Sequence, residues 1–169
     1  MNQLLETLAY LHDTCHIMNR DIKPDNIMID KDNNIKIIDF GLAAYLVHQN
    51  RHLVSNKSLK GAKKFGAPEI IFCPPPLNYD YKIDVFSLGF TIYSLMNPSK
   101  EGKINLPQET TGSIQNVKRI DNNLVNTFYD AWLIDFVKLL YENDHNKRPT
   151  AASALELLKK NPNYKLDPK

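Results

Sequence analysis

The sequence predicts a mainly α domain with a small β-hairpin in its first quarter. Three observations predict it. Leu4, Leu5, Leu8 and Leu11 recur at helical spacing over residues 2–14, and helical segments also read at 128–142 and 150–160. Residues 83–96 carry apolar side chains on most faces, the pattern of a helix buried inside a core. Two short β-prone runs, Ile27-Met28-Ile29 and Ile35-Lys36-Ile37-Ile38, flank Asp30-Lys31-Asp32-Asn33-Asn34, a strong turn signal.

In chain order, the first helix carries its apolar stripe from the outset. The hairpin follows after a polar loop. Residues 42–66 are polar and poorly patterned, which predicts a long loop of the kind that is usually functional or disordered. Pro74-Pro75-Pro76 blocks a helix there. After the buried helix at 83–96, residues 97–123 offer no element. Thr150, directly after Pro149, is a plausible N-cap for the last helix. Residues 1–160 are expected to form one domain, and 161–169, with two prolines, a flexible tail.

Composition excludes several function classes. A chain of 169 residues with 43% hydrophobic content is long enough for one globular domain, burying roughly 70% of its unfolded surface. Net charge is +2, from 21 basic and 19 acidic residues, so neither nucleic acid nor a membrane surface is an expected partner. Cys15 and Cys73 form no CxxC pair and sit near no histidine cluster, which argues for a reducing compartment and against zinc. No apolar run approaches the ~20 residues of a membrane helix, and no signal peptide is evident. A cytoplasmic setting is expected, with the nucleus open.

The chemistry concentrates in Asn19-Arg20-Asp21-Ile22-Lys23-Pro24-Asp25-Asn26 and in Asp39-Phe40-Gly41. Phosphoryl transfer asks a protein mainly for positioning and charge neutralisation. Asp21 can accept a hydroxyl proton, and Lys23 can offset phosphate charge. Asn26 and Asp39 offer the oxygen ligands that suit magnesium. Gly41 allows a turn that a side chain would hinder. An isolated Asp-x-Lys is usually a solvated surface pair, and an isolated Asp-Phe-Gly is a common kind of turn. Both in order around a hairpin are far harder to reach by chance.

These two stretches resemble the catalytic loop and metal-binding loop of the eukaryotic protein kinase family. The resemblance continues in Gly61-Ala62-Lys63-Lys64-Phe65-Gly66-Ala67-Pro68-Glu69, similar to the end of an activation segment. It extends to Asp84-Val85-Phe86-Ser87-Leu88-Gly89, with Phe86 where the family has Trp, and to Arg148. It covers about Leu4 to Leu158. It implies a protein-kinase-like C-lobe: a helical core with small β-hairpins at the catalytic and metal-binding loops. It also implies Mg2+ and ATP as cofactors, a protein substrate, and, through Lys23, the serine/threonine branch. Asp21 and Lys23 would be catalytic, Asn26 and Asp39 metal ligands, and Phe40 and Gly41 structural. Glu69 and Arg148 would form a buried ion pair, and Asp84 would anchor the catalytic-loop backbone. Arg20 would pair with a phosphorylated activation segment at Ser58, or at Ser55. Lys63 and Lys64 read as a solvated basic pair more than as a preference for acidic substrates.

The departures carry their own expectations. Asn19 stands where the family has His, so Phe40 is expected to be held less firmly. Ala62 replaces a threonine whose hydroxyl reaches the Asp21 and Lys23 pair in the family. The six glycines lie at 41, 61, 66, 89, 102 and 112, so no Gly-x-Gly-x-x-Gly loop occurs, and no strand lysine precedes residue 19. The 169 residues are therefore expected to supply the C-terminal lobe alone and to bind Mg-ATP weakly by themselves. Met28 would form the nucleotide floor, with a plain core methionine as the equal alternative. A chain bearing the N-lobe, or another partner, would cover the exposed lobe surface. An inactive pseudokinase-like interaction module and a truncated remnant remain the alternative readings.

Overall fold

In the computed structural model, the described residues are 1–45, 52–54, 65–71, 77–96 and 129–164, with 52–54 and 77–78 described by backbone alone. Ser55, Ser58, Ala62, Lys63, Lys64, Cys73, residues 97–128 and residues 165–169 lie outside them.

The helical expectation holds. Helix α1 spans Asn2–Ala9 and buries Leu4, Leu5 and Leu8. It then widens into a π-helical turn at Tyr10–Thr14, closed by Cys15 N–H donating to the Tyr10 carbonyl at 3.1 Å. One extra residue per turn shifts the register, so the consecutive residues Leu11 and His12 both face inward. Helix α2 is the single turn Pro68–Ile71. Helix α3, Lys82–Met96, is buried along nearly its whole circumference. Its hydroxyls are satisfied within the helix: Ser87 donates to the Ile83 carbonyl at 3.0 Å and Ser94 to that of Phe90 at 2.8 Å. Helix α4, Ala131–Leu140, is shorter at both ends than its apolar pattern. Helix α5, Ala151–Lys160, starts where Thr150 Oγ1 accepts from Ser153 N–H at 3.1 Å.

Three antiparallel strand pairs complete the described residues. β1 (Ile17–Met18) pairs with β4 (Ala44–Tyr45), β2 (Ile27–Ile29) with β3 (Ile35–Ile37), and β5 (His52–Val54) with β6 (Leu77–Tyr79). The β2–β3 turn is organised by Asp30, whose Oδ1 accepts from the backbone of Asp32 and Asn34, each at 2.9 Å. Gln3 of α1 grips the same hairpin through Ile35 N–H at 2.6 Å and the Asn33 carbonyl at 3.3 Å.

Those bonds hold the Asp30 carboxyl at about 2, the Asn34 backbone N–H being the largest cause and Lys36 a further one. A lowered folded-state value adds stability above the ordinary 3.8, and that stability is lost as pH falls through about 2. The hairpin is thus expected to loosen between pH 4 and 2. An NMR titration of the Asp30 carboxyl should show its midpoint near 2, and Asp30→Ala should leave the hairpin loosened already at neutral pH, with the change between pH 4 and 2 lost.

Two apolar clusters flank α3. One joins Met18, Phe65, Tyr79, Phe86, Phe90, Tyr93, Val137 and Tyr141. The other joins the α1 leucines, Val85, Leu88, Leu140, Ala151 and Leu158. Gly89 lets α3 and α4 meet: a Cβ there would lie 2.6 Å from Leu140 Cβ and 2.8 Å from Tyr141 N. The second neighbour is backbone and cannot swing away. Gly89→Ala is expected to cost about 1–3 kcal/mol through overpacking, despite alanine's better helix propensity. Thermal unfolding checks this as a fall in Tm of several degrees. Beyond α5, the Tyr164 ring meets the edge of Trp132, with centroids 6.4 Å apart.

Candidate active site

The site is built on a buried carboxylate. Asp84, in the first turn of α3, is fully buried. Its Oδ2 accepts from Asn19 N–H at 2.8 Å and faces His12 Nε2 at 3.0 Å; its Oδ1 accepts from Arg20 N–H at 2.8 Å. A buried charge persists only where such donors surround it. Here they come from the residues that lead into Asp21, so α3 fixes the backbone of that loop. Arg20 adopts φ 66° and Asp39 φ 63°, a left-handed conformation uncommon for side-chain-bearing residues.

Asp21 is buried, with 6% of its surface exposed. Its Oδ2 accepts from Lys23 Nζ at 2.6 Å and from Asn26 Nδ2 at 2.9 Å. Its Oδ1 is buried and has no hydrogen-bond partner among the described residues. The carboxylate is thus held through one oxygen alone. Asn26 also donates to the Asp21 carbonyl at 2.9 Å, so its amide nitrogen is committed to Asp21 and its amide oxygen faces away. The 3-10 turn Pro24–Asn26 sets this pose, and Pro24 fixes its first φ.

Ile38 N–H donates to the Asn26 carbonyl at 2.9 Å, which brings the residue before Asp39 against the loop that carries Asp21 and Asn26. Asp39 is exposed, and its Oδ1 accepts from Gly41 N–H at 2.9 Å. A Cβ on Gly41 would sit 3.1 Å from that oxygen, a tight contact that a small shift of the exposed Asp39 carboxylate would have to relieve. Asn19, fully buried, spans the two loops: its Oδ1 accepts from Asp21 N–H at 3.1 Å and its Nδ2 donates to the Asp39 carbonyl at 3.2 Å. The polar substitute for histidine thus serves as a bridge, while Phe40 stays 44% exposed.

The remaining expected residues fall as follows. Met28 lies on β2 and is 55% exposed, so it is not a core methionine in this chain. Arg148, fully buried, grips Glu69 with Nη1 and Nη2 at 2.7 and 3.1 Å. Arg20 does not stand free: its guanidinium donates to the Leu42 carbonyl and, at 3.2 Å, to the Tyr79 hydroxyl. Ser58 lies outside the described residues. Sequence reasoning missed His12, which also stacks on Tyr81 at 5.2 Å, and it missed Tyr79. Each finds its polar partner 59 or more positions away, and no local pattern signals such a pairing.

A helical lobe thus brings a buried carboxylate, a lysine, and the oxygens of Asn26 and Asp39 onto adjoining loops. A family model for the protein kinase domain matches residues 1–158, and the chain belongs to that family. It is 33% identical over 166 residues to Serine/threonine-protein kinase 10 of Danio rerio, covering 91% of this chain and 16% of that one. It is 36% identical over 157 residues to Sperm motility kinase 3A of Mus musculus, covering 90% and 28%. It is 39% identical over 93 residues to Mitosis inhibitor protein kinase SWE1 of Saccharomyces cerevisiae, covering 55% and 10%. The chain spans between 10% and 28% of the length of these three relatives.

The donor set fits the family's magnesium and nucleotide. Asn26 offers a neutral amide oxygen turned away from Asp21, and Asp39 offers a carboxylate oxygen beyond the one bonded to Gly41. Both are hard ligands. Among the described residues, no three His, Cys, Asp or Glu side chains cluster as a protein-only metal site.

Proposed function

We propose that this chain is the catalytic C-lobe of a serine/threonine protein kinase, transferring a phosphoryl group from Mg-ATP to a protein hydroxyl. The observation that carries the reading is Asp21, buried, with one carboxylate oxygen held by Lys23 and Asn26 and the other without a partner among the described residues. Asp21 Oδ1 receives the proton of the attacking serine or threonine hydroxyl. Lys23 offsets charge at the transferring group and, through its 2.6 Å contact, keeps the Asp21 carboxylate in one rotamer. Asn26 and Asp39 would hold magnesium, which neutralises phosphate charge and orients the nucleotide. Met28, exposed on β2, is the proposed floor for the adenine.

The exposure of Met28, Ile29, Ile38 and Phe40 fits a lobe face that a second lobe covers. The glycine-rich loop and strand lysine would come from residues outside these 169, in a longer chain or in a partner. The same exposed row also favours a second reading, a kinase-like interaction module without turnover. A compartment open to ATP and protein substrates, the cytoplasm first, is part of the proposal.

Transfer of the γ-phosphate of Mg-ATP to serine and threonine of casein tests it. The 169-residue chain alone is expected to turn over very slowly, because one lobe cannot exclude water from a cleft. Joined to a lobe with a glycine-rich loop and strand lysine, it is expected to be active. Failure of the joined protein would sink the reading and favour the interaction module, whereas undiminished activity after Asp21→Asn would sink the role given to Asp21.

A further inference from the structure

Arg20 sits where the β1–β4 ladder runs out. The register pairs Ile17 with Tyr45 and Met18 with Ala44, so its continuation would place Arg20 opposite Leu42. The backbone cannot continue that ladder. Arg20 turns to φ 66°, and its N–H goes to Asp84 at 2.8 Å instead. The side chain takes over: the guanidinium Nε donates to the Leu42 carbonyl, next to the Asp39-Phe40-Gly41 turn. One residue later in the chain comes Asp21.

The outer edge of that guanidinium is already engaged. Nη1 donates to the Tyr79 hydroxyl at 3.2 Å. Tyr79 is 1% exposed and lies in the cluster with Met18, Phe86 and Phe90. It ends β6, where it is the register partner of His52 on β5. A buried phenol oxygen with a charged donor is a fixed point, because swinging it elsewhere would leave it unsatisfied in an apolar setting.

We propose that Tyr79 is a positioning residue for the phosphoryl transfer, a statement that rests on the proposed function. Through its hydroxyl it orients the Arg20 guanidinium, and Arg20 ties the Asp21 loop to the segment that follows Asp39. The link runs from the β5–β6 pair to the catalytic loop by uncharged oxygen on one side and guanidinium on the other. It needs no phosphate, so the two loops are held together in unmodified protein.

The test uses phosphatase-treated chain and the variant Tyr79→Phe, which keeps the ring and its packing and removes the hydroxyl alone. Amide hydrogen exchange at residues 41–45 is expected to quicken about tenfold, the scale of one lost hydrogen bond to a charged group. In an Arg20→Lys background, where the fork is already gone, Tyr79→Phe should add nothing. In the lobe-joined active protein, Tyr79→Phe should lower kcat about tenfold with KM for ATP little changed, a split that loss of packing would not give. Exchange at 41–45 equal to that of the parent protein overturns the proposal. So does an increase of the same size in the Arg20→Lys background, because the hydroxyl would then act elsewhere. A joined protein that is inactive from the start fails the kinase reading, while the exchange measurement still decides the role of Tyr79.

Discussion

Asp21→Asn is expected to lower kcat for phosphoryl transfer by about 10²–10⁴-fold, the range for losing a general base, while leaving the melting temperature nearly unchanged. The two halves of that expectation come from the two oxygens of one side chain. Oδ2 is the structural half, accepting from Lys23 at 2.6 Å and Asn26 at 2.9 Å. An asparagine oxygen can accept both. Oδ1 is the chemical half, buried without a partner among the described residues. In the variant that place is taken by an amide NH2, a donor that cannot receive a hydroxyl proton. KM for ATP should move little, because Asn26 and Asp39 keep their oxygens. Steady-state kinetics on the lobe-joined protein, beside a thermal melt, separates the two halves. A melt lowered as far as the rate would show that Asp21 is a structural residue.

The second large effect lies away from the chemistry. Arg148→Met is expected to destabilise the chain by about 3–5 kcal/mol, the range for stranding one partner of a buried ion pair. A solvent-exposed pair would be worth only about 0–1 kcal/mol, so burial decides the size. The Arg148 side chain is fully buried and that of Glu69 is 15% exposed. Beyond Glu69, Arg148 donates to the Glu142 carbonyl at 2.9 Å and the Lys82 carbonyl at 3.0 Å, and it lies 4.9 Å from the Phe86 ring centroid. Methionine fills the volume but leaves two carbonyls and a carboxylate to water. The partial exposure of Glu69 eases that and favours the lower end. At roughly 2–4 °C per kcal/mol, Tm should fall by about 6–20 °C. Pairing the change with Glu69→Leu should recover part of the loss, since the stranded charge is then gone. No recovery would place the energy in the carbonyl contacts.

How far the sequence went is clearest at α3 and at its carboxylate. The all-round apolar pattern of 83–96 announced a buried helix, and α3 runs over Lys82–Met96. The hairpin was legible because Asp30 to Asn34 is turn chemistry between β-prone runs, and the register followed. The Glu69–Arg148 and Asp84 contacts were legible only through the family pattern, since their partners lie 79 and 64 or more positions apart. The π-helical turn was not legible: Leu4, Leu5, Leu8 and Leu11 satisfy an ordinary helical period, and the extra residue is absorbed only where His12 reaches Asp84. Helix α4 came out shorter than 128–142 because the backbone leaves the helical region at both caps, extended at Asp130 (ψ 140°) and at ψ 30° at Tyr141, which an apolar pattern does not reveal. At the site, residue types revealed Asp21, Lys23, Asn26 and Asp39. Nothing local revealed that Asn19 bridges their loops, or that Tyr79 occupies Arg20.

The Asp84 carboxylate has a bearing on how the molecule comes into being. Its three donors are the side chain of His12 and the backbones of Asn19 and Arg20, so the loop acquires its shape only when α3 has docked. A compact intermediate with its helices formed but unpacked would have no place for that charge and no reason to turn Arg20 to a left-handed conformation. The shape of the loop and the completion of the core are therefore one cooperative event, so under the proposed function a half-assembled chain would be held silent by its own unfinished interior.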